Sequence, residues 1–269
     1  MLVYAKRMLK DKYKTLFFYC IGTLGLLEMY VALFPAIKNQ SASFEQLIQN
    51  FPPELFKAMN MEPALVNFST MEAYISTEYL SFLWPMLAVI FAISLANYIS
   101  VNEIEKKTSE TLFSLPTNRL RIFTERYFTG ALMITVFNAV SVYGVIPLAL
   151  LHNAQFKLPN YTTAFIGVLV FTLACYTLAT LSSVLFSERG RASMASSGII
   201  ILMYVMFVVS TLQESVKNLR YFSIFNYFSG GDLLAKNHYP DNMFVVLGSF
   251  TLITLVISLI IYKKRDMSV

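Results

Sequence analysis

Six long apolar runs alternate with short polar stretches along the chain, at about 16–37, 79–101, 127–151, 162–186, 192–212 and 243–262. Each is near or above the ~20 residues a helix needs to cross ~30 Å of hydrocarbon. Backbone polar groups in hydrocarbon must be satisfied within the segment, so runs of this kind read as helices. The pattern predicts an all-α integral membrane protein with six transmembrane helices, forming a single transmembrane domain over 1–269. No internal repeat or low-complexity linker divides it.

The polar stretches carry their own signals. Lys6, Arg7, Lys10, Lys12 and Lys14 lead into the first run. A signal peptide also starts with basic residues, but its apolar stretch is only ~7–15 residues and ends in a small-residue cleavage site. An uncleaved helix is therefore expected. Residues 38–78 are polar. Pro52 and Pro53 suit a helix start, and Leu55, Phe56 and Met59 have the spacing of one apolar face. One or two short amphipathic helices at the outer surface are expected there, as a lid or as packing on the membrane rim. Gly144 and Pro147 are expected to bend the third span. Between the fifth and sixth spans, Tyr221, Phe222, Phe225, Tyr227 and Phe228 suit the membrane interface, and Gly230–Gly231 should end a short helix. That loop reads either as an anchor or as a wall of a transport path.

Charge orients the layout. Apolar residues make up 56% and charged residues 14%, against about 25% charged in soluble proteins. The net charge of +5 does not point to nucleic acid, because the basic residues are divided among short loops beside apolar runs. With both termini cytoplasmic, 15 Lys/Arg fall inside and 6 outside, the latter being Lys38, Lys57, Lys157, Lys217, Arg220 and Lys236. That is the asymmetry expected of a multi-pass protein beside membrane lipid.

Candidate chemistry is sparse. Cys20 and Cys175 both lie within apolar runs, where they read as small core residues rather than a disulfide or a metal site. His152 and His238 lack companions spaced as metal ligands. No HExxH, GxSxG or phosphate-binding glycine-lysine loop occurs, so no metal and no catalytic residue is assigned, and any ATP must be used by another chain. Glu28 is the one acid well inside a predicted span. A carboxylate there is costly and marks a candidate transport path. It could neutralise a cationic substrate or relay protons. It could also be protonated, or paired with a hydroxyl in a dimer seam.

The strongest polar feature is Asn102–Arg126, NEIEKKTSETLFSLPTNRLRIFTER, set between the second and third spans. Its charges exclude it from hydrocarbon. Glu103–Leu115 can form an amphipathic helix along the membrane. Pro116 would break it, and Thr117 or Asn118 would cap the next helix. A solvated, lipid-facing loop fits the residues equally well.

Residues 103–119, ending in LFSLPTNR, resemble the first cytoplasmic loop of ABC-2 type transporter permeases, which has an acid-rich start, a Gly-Thr and an LLSLP-x-x-R ending. Lys107–Thr108 departs from that pattern by lacking the glycine. Arg126 stands where a basic residue usually opens the next span. Six spans, a large first outer loop and an aromatic outer loop before the last span extend the resemblance over nearly the whole chain. The resemblance implies a coupling helix between spans 2 and 3 that docks on a separate ABC ATPase subunit carrying ATP and Mg. Leu112, Phe113 and Leu115 would supply its apolar contacts, with Glu103, Glu105, Glu110 and Arg119 as charged ones. It further implies a second permease subunit, as homodimer or heterodimer, and export across a bacterial cytoplasmic membrane. Short loops and the lack of a large soluble domain suit an amphipathic substrate such as an antimicrobial or toxin-like peptide. The unrelated alternative is a non-transporting scaffold or sensor subunit that recruits a cytosolic partner.

Overall fold

The computed structural model describes residues 2–39, 69–105 and 118–265, with Glu103 as backbone alone. Six helices are long and apolar enough to cross a membrane. They are α1 (Val3–Asn39), α2 (Met71–Ala96), α4 (Arg119–Leu151), α5 (Leu158–Leu185), α6 (Arg189–Leu212) and α7 (Met243–Lys264). A short α3 (Val101–Glu105) follows α2. Between α6 and α7 run two 3₁₀ segments, Glu214–Phe222 and Ile224–Tyr227, and a π-helical turn, Gly231–Ala235.

α5 is the hub, packed against α2, α4, α6 and α7, while α1 lies along α4. The hub position explains its composition. Ala164, Ala174, Ala179, Thr172, Thr177, Thr180 and Ser183 are all buried, and small or hydroxylated residues let helices approach closely and return their own hydroxyls to the backbone. Thr172 and Thr180 donate to the carbonyls four residues before them, at 2.7 and 2.9 Å. By contrast α1, α6 and α7 keep Phe17, Phe18, Ile201, Leu202, Leu252 and Ile253 exposed. For a bundle surrounded by acyl chains, that apolar surface is the solvated one.

The helices overrun the apolar runs at several ends. α1 extends back through the basic residues to Val3. α2 begins at Met71, eight positions before the apolar run, with Thr70 Oγ1 accepting from Ala73 N at 3.3 Å as its cap. That stretch read as part of the polar segment 38–78. Glu72 is instead buried, its carboxylate accepting from Lys157 N at 2.6 Å. The second span ends at Ala96, and Asn97–Ser100 form a turn before α3. The SERGR stretch is largely helical, since α6 starts at Arg189.

Within α2, residues Ser76–Leu83 form a π-helix. Pro85 follows it. A proline has no N–H for the carbonyl four residues back and its ring crowds that carbonyl, so the preceding turns widen. Ser76 and Ser81 hydroxyls donate to Ala73 O and Ser76 O, at 2.8 and 2.7 Å, taking up carbonyls of the widened turns. α4 is interrupted at Gly144, between its Arg119–Tyr143 and Val145–Leu151 parts, as expected. A Cβ on Gly144 would lie 2.4 Å from Val140 O and 2.7 Å from Leu24 Cδ2.

The aromatic loop lies only partly at the surface. Phe228 is buried and stacks on Phe171 of α5 at 4.4 Å, with Trp84 of α2 at 5.7 Å, while Phe225 meets Tyr204 of α6 at 5.2 Å. Tyr221 and Phe222 alone of the five are exposed. Gly230 opens the π-helical turn rather than ending a helix. Its backbone lies against Leu80 and Ser76 of α2, where a Cβ would fall 2.9 Å from Leu80 Cβ. The amphipathic helices expected around Pro52–Pro53 lie outside the described residues.

Candidate functional site

Both ends of the described chain meet at one end of the bundle, here termed basal, and a set of polar ties closes it. Adjacent residues of α4 make two of them. The Glu125 carboxylate accepts from Tyr4 N at 3.0 Å and Ala5 N at 3.4 Å, in the first turn of α1, and from Arg121 Nε at 2.8 Å. First-turn N–H groups have no partner within their own helix and carry the positive end of its dipole, so an anionic acceptor suits them. Arg126 does the reverse for α2. It is 1% exposed, donates to Tyr98 O at 3.3 Å and Ile99 O at 3.0 Å, and lies 5.2 Å over the Tyr98 ring. Both carbonyls belong to the Asn97–Ser100 turn that follows α2, where a cation faces the negative end of that helix's dipole.

The ties extend across the bundle. Tyr98 donates to Asp11 at 2.5 Å and Lys12 reaches Ser94 O at 3.2 Å, fixing α1 to the end of α2. Burial, then the Asp11 carboxylate, push the Tyr98 phenol well above its ordinary value, so it remains the donor. Asn97 donates to Ser193 of α6 at 2.7 Å, and Val101 N reaches Ser183 of α5 at 3.5 Å. Arg265, just past α7, donates to Val184 O, to Phe186 O at 3.0 Å and to Ser187 Oγ at 2.7 Å. Its own carbonyl accepts from Arg119 at 2.9 Å.

The sequence-derived site residues distribute as follows. Glu110, Leu112, Phe113 and Leu115 lie outside the described residues. Glu103 and Glu105 are in α3, and Glu105 is exposed. Asn118 caps α4 as expected, its Oδ1 accepting from Leu120 N at 3.0 Å. Arg119 is drawn into the basal ties through Arg265. α3 and the start of α4, the described elements on either side of 106–117, both join these ties. The sequence reading missed Asp11, Tyr98, Glu125 and Arg265, because their partners lie up to 146 positions away. Asp11, Glu125 and Arg265 left one legible signal, charge beside the apolar runs, and Tyr98 left none.

At the opposite end, Glu28 Oε1 accepts from His152 Nε2 at 2.8 Å. At ~1.5 Å per residue, Glu28 lies about 25 Å along α1 from Asp11. Its side chain is 45% exposed. Among the described residues His152 is the partner of Glu28 Oε1, while Oε2 is buried with no hydrogen-bond partner. A lateral groove of about 450 Å³ runs between α2 and α6, lined among others by Pro85, Ile93, Ile200, Tyr204 and Phe225. It is almost wholly apolar, and it opens to the side of the bundle.

No curated protein and no solved structure matches the chain. The family model described as ABC-2 family transporter protein matches residues 3–263, nearly the whole chain. With six membrane-length helices arranged as above, the chain belongs to the ABC-2 transporter family, as a multi-pass membrane subunit that is not itself the ATPase.

Proposed function

We propose that this chain is half of an ATP-driven exporter, coupling hydrolysis on a separate ATPase subunit, where ATP and Mg bind, to outward movement of an amphipathic substrate. A peptide of antimicrobial or toxin-like kind is the preferred substrate. The basal end faces the cytoplasm in this reading, in a bacterial cell membrane, and a second permease subunit completes the path. The observation that carries it is the closed basal platform. Residues 106–117 are flanked by α3 and by the Asn118 cap of α4; α3 is tied to α5, and α4 to α1 and to Arg265 just past α7. A push on that segment would reach the whole bundle rather than fray one helix end.

Leu112, Phe113 and Leu115 are the apolar contacts with the ATPase, and Glu103, Glu105, Glu110 and Arg119 the charged ones. Glu28 sits at the outer end of the path. The apolar groove between α2 and α6 suits the hydrophobic side of the substrate. The test is co-purification of the tagged chain from its native membrane, followed by coupled ATPase activity. An ATP-binding-cassette subunit should follow at near-equal amount and be lost with Leu112→Asp or Phe113→Asp. Glu105→Lys should uncouple hydrolysis without unfolding the chain, since Glu105 is exposed. Retention of the ATPase in both Asp variants would refute the reading.

A further inference from the structure

The connection between α6 and α7, at the end opposite the platform, holds a cavity of about 690 Å³, within the roughly 300–1,000 Å³ typical of small-molecule sites. Unlike the groove between α2 and α6 it has a charged lining, to which Arg220, Asp232, Lys236 and Asp241 contribute. Asp232 and Lys236 pair with each other at 2.9 Å. The other two charges stand apart. Arg220 has no ion pair among the described residues. Its Nη2 donates to the Tyr221 hydroxyl at 3.0 Å, while its Nε is buried without a hydrogen-bond partner. The Asp241 carboxylate has neither hydrogen bond nor ion pair among the described residues. An unpaired cation with an idle buried donor and an unpaired anion thus line one cavity.

The walls and the rim narrow what fills it. Asn242, at φ 57°, opens the 22-residue α7 without a side-chain cap, and it lines the cavity together with Val245 and Val246 of the first turn. Uncapped first-turn N–H groups carry the positive end of the helix dipole, which favours an anionic oxygen on the same side as Arg220. The rim is apolar. Tyr221 and Val245 line the cavity and are exposed, as are their neighbours Phe222 and Phe244. Exposed rings at the end of a membrane bundle sit at headgroup depth, so the cavity opens beside lipid phosphates. A guanidinium presents its donors in a planar fork suited to phosphate oxygens. A phosphate carrying an ethanolamine offers one charge to each unpaired group.

We propose that this cavity receives the headgroup of a phosphoethanolamine lipid, with the phosphate on Arg220 and the first turn of α7 and the ammonium on Asp241. The acyl chains run down the exposed apolar face of α7, past Leu252, Ile253 and Val256. The proposal goes beyond the export reading and does not rest on it; that reading adds only that the leaflet is the outer one. In the test, radiolabelled dihexanoylphosphatidylethanolamine is dialysed to equilibrium against the purified chain in dodecyl maltoside. Saturable binding is expected, weakened about tenfold or more by Arg220→Gln and weakened also by Asp241→Asn. Dihexanoylphosphatidylglycerol, which lacks the ammonium, should lose affinity with Arg220→Gln and ignore Asp241→Asn. Lys217→Gln removes a charge from the same 3₁₀ segment outside the cavity lining, and should bind as the wild type does. Each variant is first required to elute and melt as the wild type does. Val245→Trp, which fills the mouth from an exposed position, replaces Arg220→Gln if that variant fails, and should abolish binding. Absence of saturable binding, or wild-type affinity in Arg220→Gln or Asp241→Asn, overturns the proposal. An equal loss with Lys217→Gln overturns it too, by reducing the effect to surface charge. Glycerophosphoethanolamine, the same headgroup without chains, should bind far more weakly; equal affinity would make the ligand a soluble phosphate ester and overturn the lipid assignment.

Discussion

Glu125 and Arg126 are neighbours in sequence, yet they serve the ends of two different helices with opposite charges. Glu125 caps the N–H groups that open α1, and Arg126 binds carbonyls of the turn that follows α2. Replacing a side-chain cap by Ala typically costs ~1 kcal/mol, whereas a buried charged donor leaves carbonyls unpaired at about 1.5–3 kcal/mol. Arg126→Ala should therefore lower the unfolding midpoint in detergent more than Glu125→Ala. Tyr98 offers a pH test. Its folded value is raised, so its contribution is whole below the unfolded value near 10 and is lost as pH rises through the folded one. Tyr98→Phe should be less stable at neutral pH and lose stability less steeply above about pH 10; equal slopes would refute this. None of these roles was legible locally. An apolar run announces a helix, but a charge at its edge does not announce which distant helix end it will meet.

At the scale of elements, the runs predicted existence and order well and boundaries poorly. Length and hydropathy suffice for a span, since hydrocarbon imposes one requirement on every residue within it. Ends are set by partners. α2 gained two turns because Glu72 found the Lys157 amide, and α1 gained more than three because its basic side chains stand beyond the layer. The π-helix left only the trace of Pro85. The aromatic loop misled for a related reason: five rings signal an interface by composition, but Phe225 and Phe228 had rings of α5 and α6 to meet. Element packing also rests on single small residues. A Cβ on Gly130 of α4 would fall 2.1 Å from the Tyr176 hydroxyl and 2.7 Å from its ring carbon Cζ. Tyr176 is wholly buried and donates to Tyr127 O at 3.2 Å, so it has little room to retreat. Gly130→Ala should force α4 off α5 and cost about 1–3 kcal/mol, read as a lower melting temperature.

Over the whole molecule, the basic residues gather where the two chain ends meet. If charge sets orientation, that end is cytoplasmic. In a Cys20→Ala background, Lys157→Cys should react with a membrane-impermeant maleimide on intact cells, and Glu105→Cys only after the cells are opened. The reverse pattern would invert the bundle and strand the proposed ATPase contact on the wrong side. The platform also has a history. A chain is synthesised from its N-terminus, so the first turn of α1 waits uncapped until Glu125 has been added, and α2 waits for Arg126. Arg265 comes last, and only then are Val184, Phe186, Ser187 and Arg119 drawn together. Until that residue is made, the surface framing 106–117 is unfinished. A partner that recognises the finished platform would thus decline shorter nascent chains, and assembly would be timed by the arrival of Arg265.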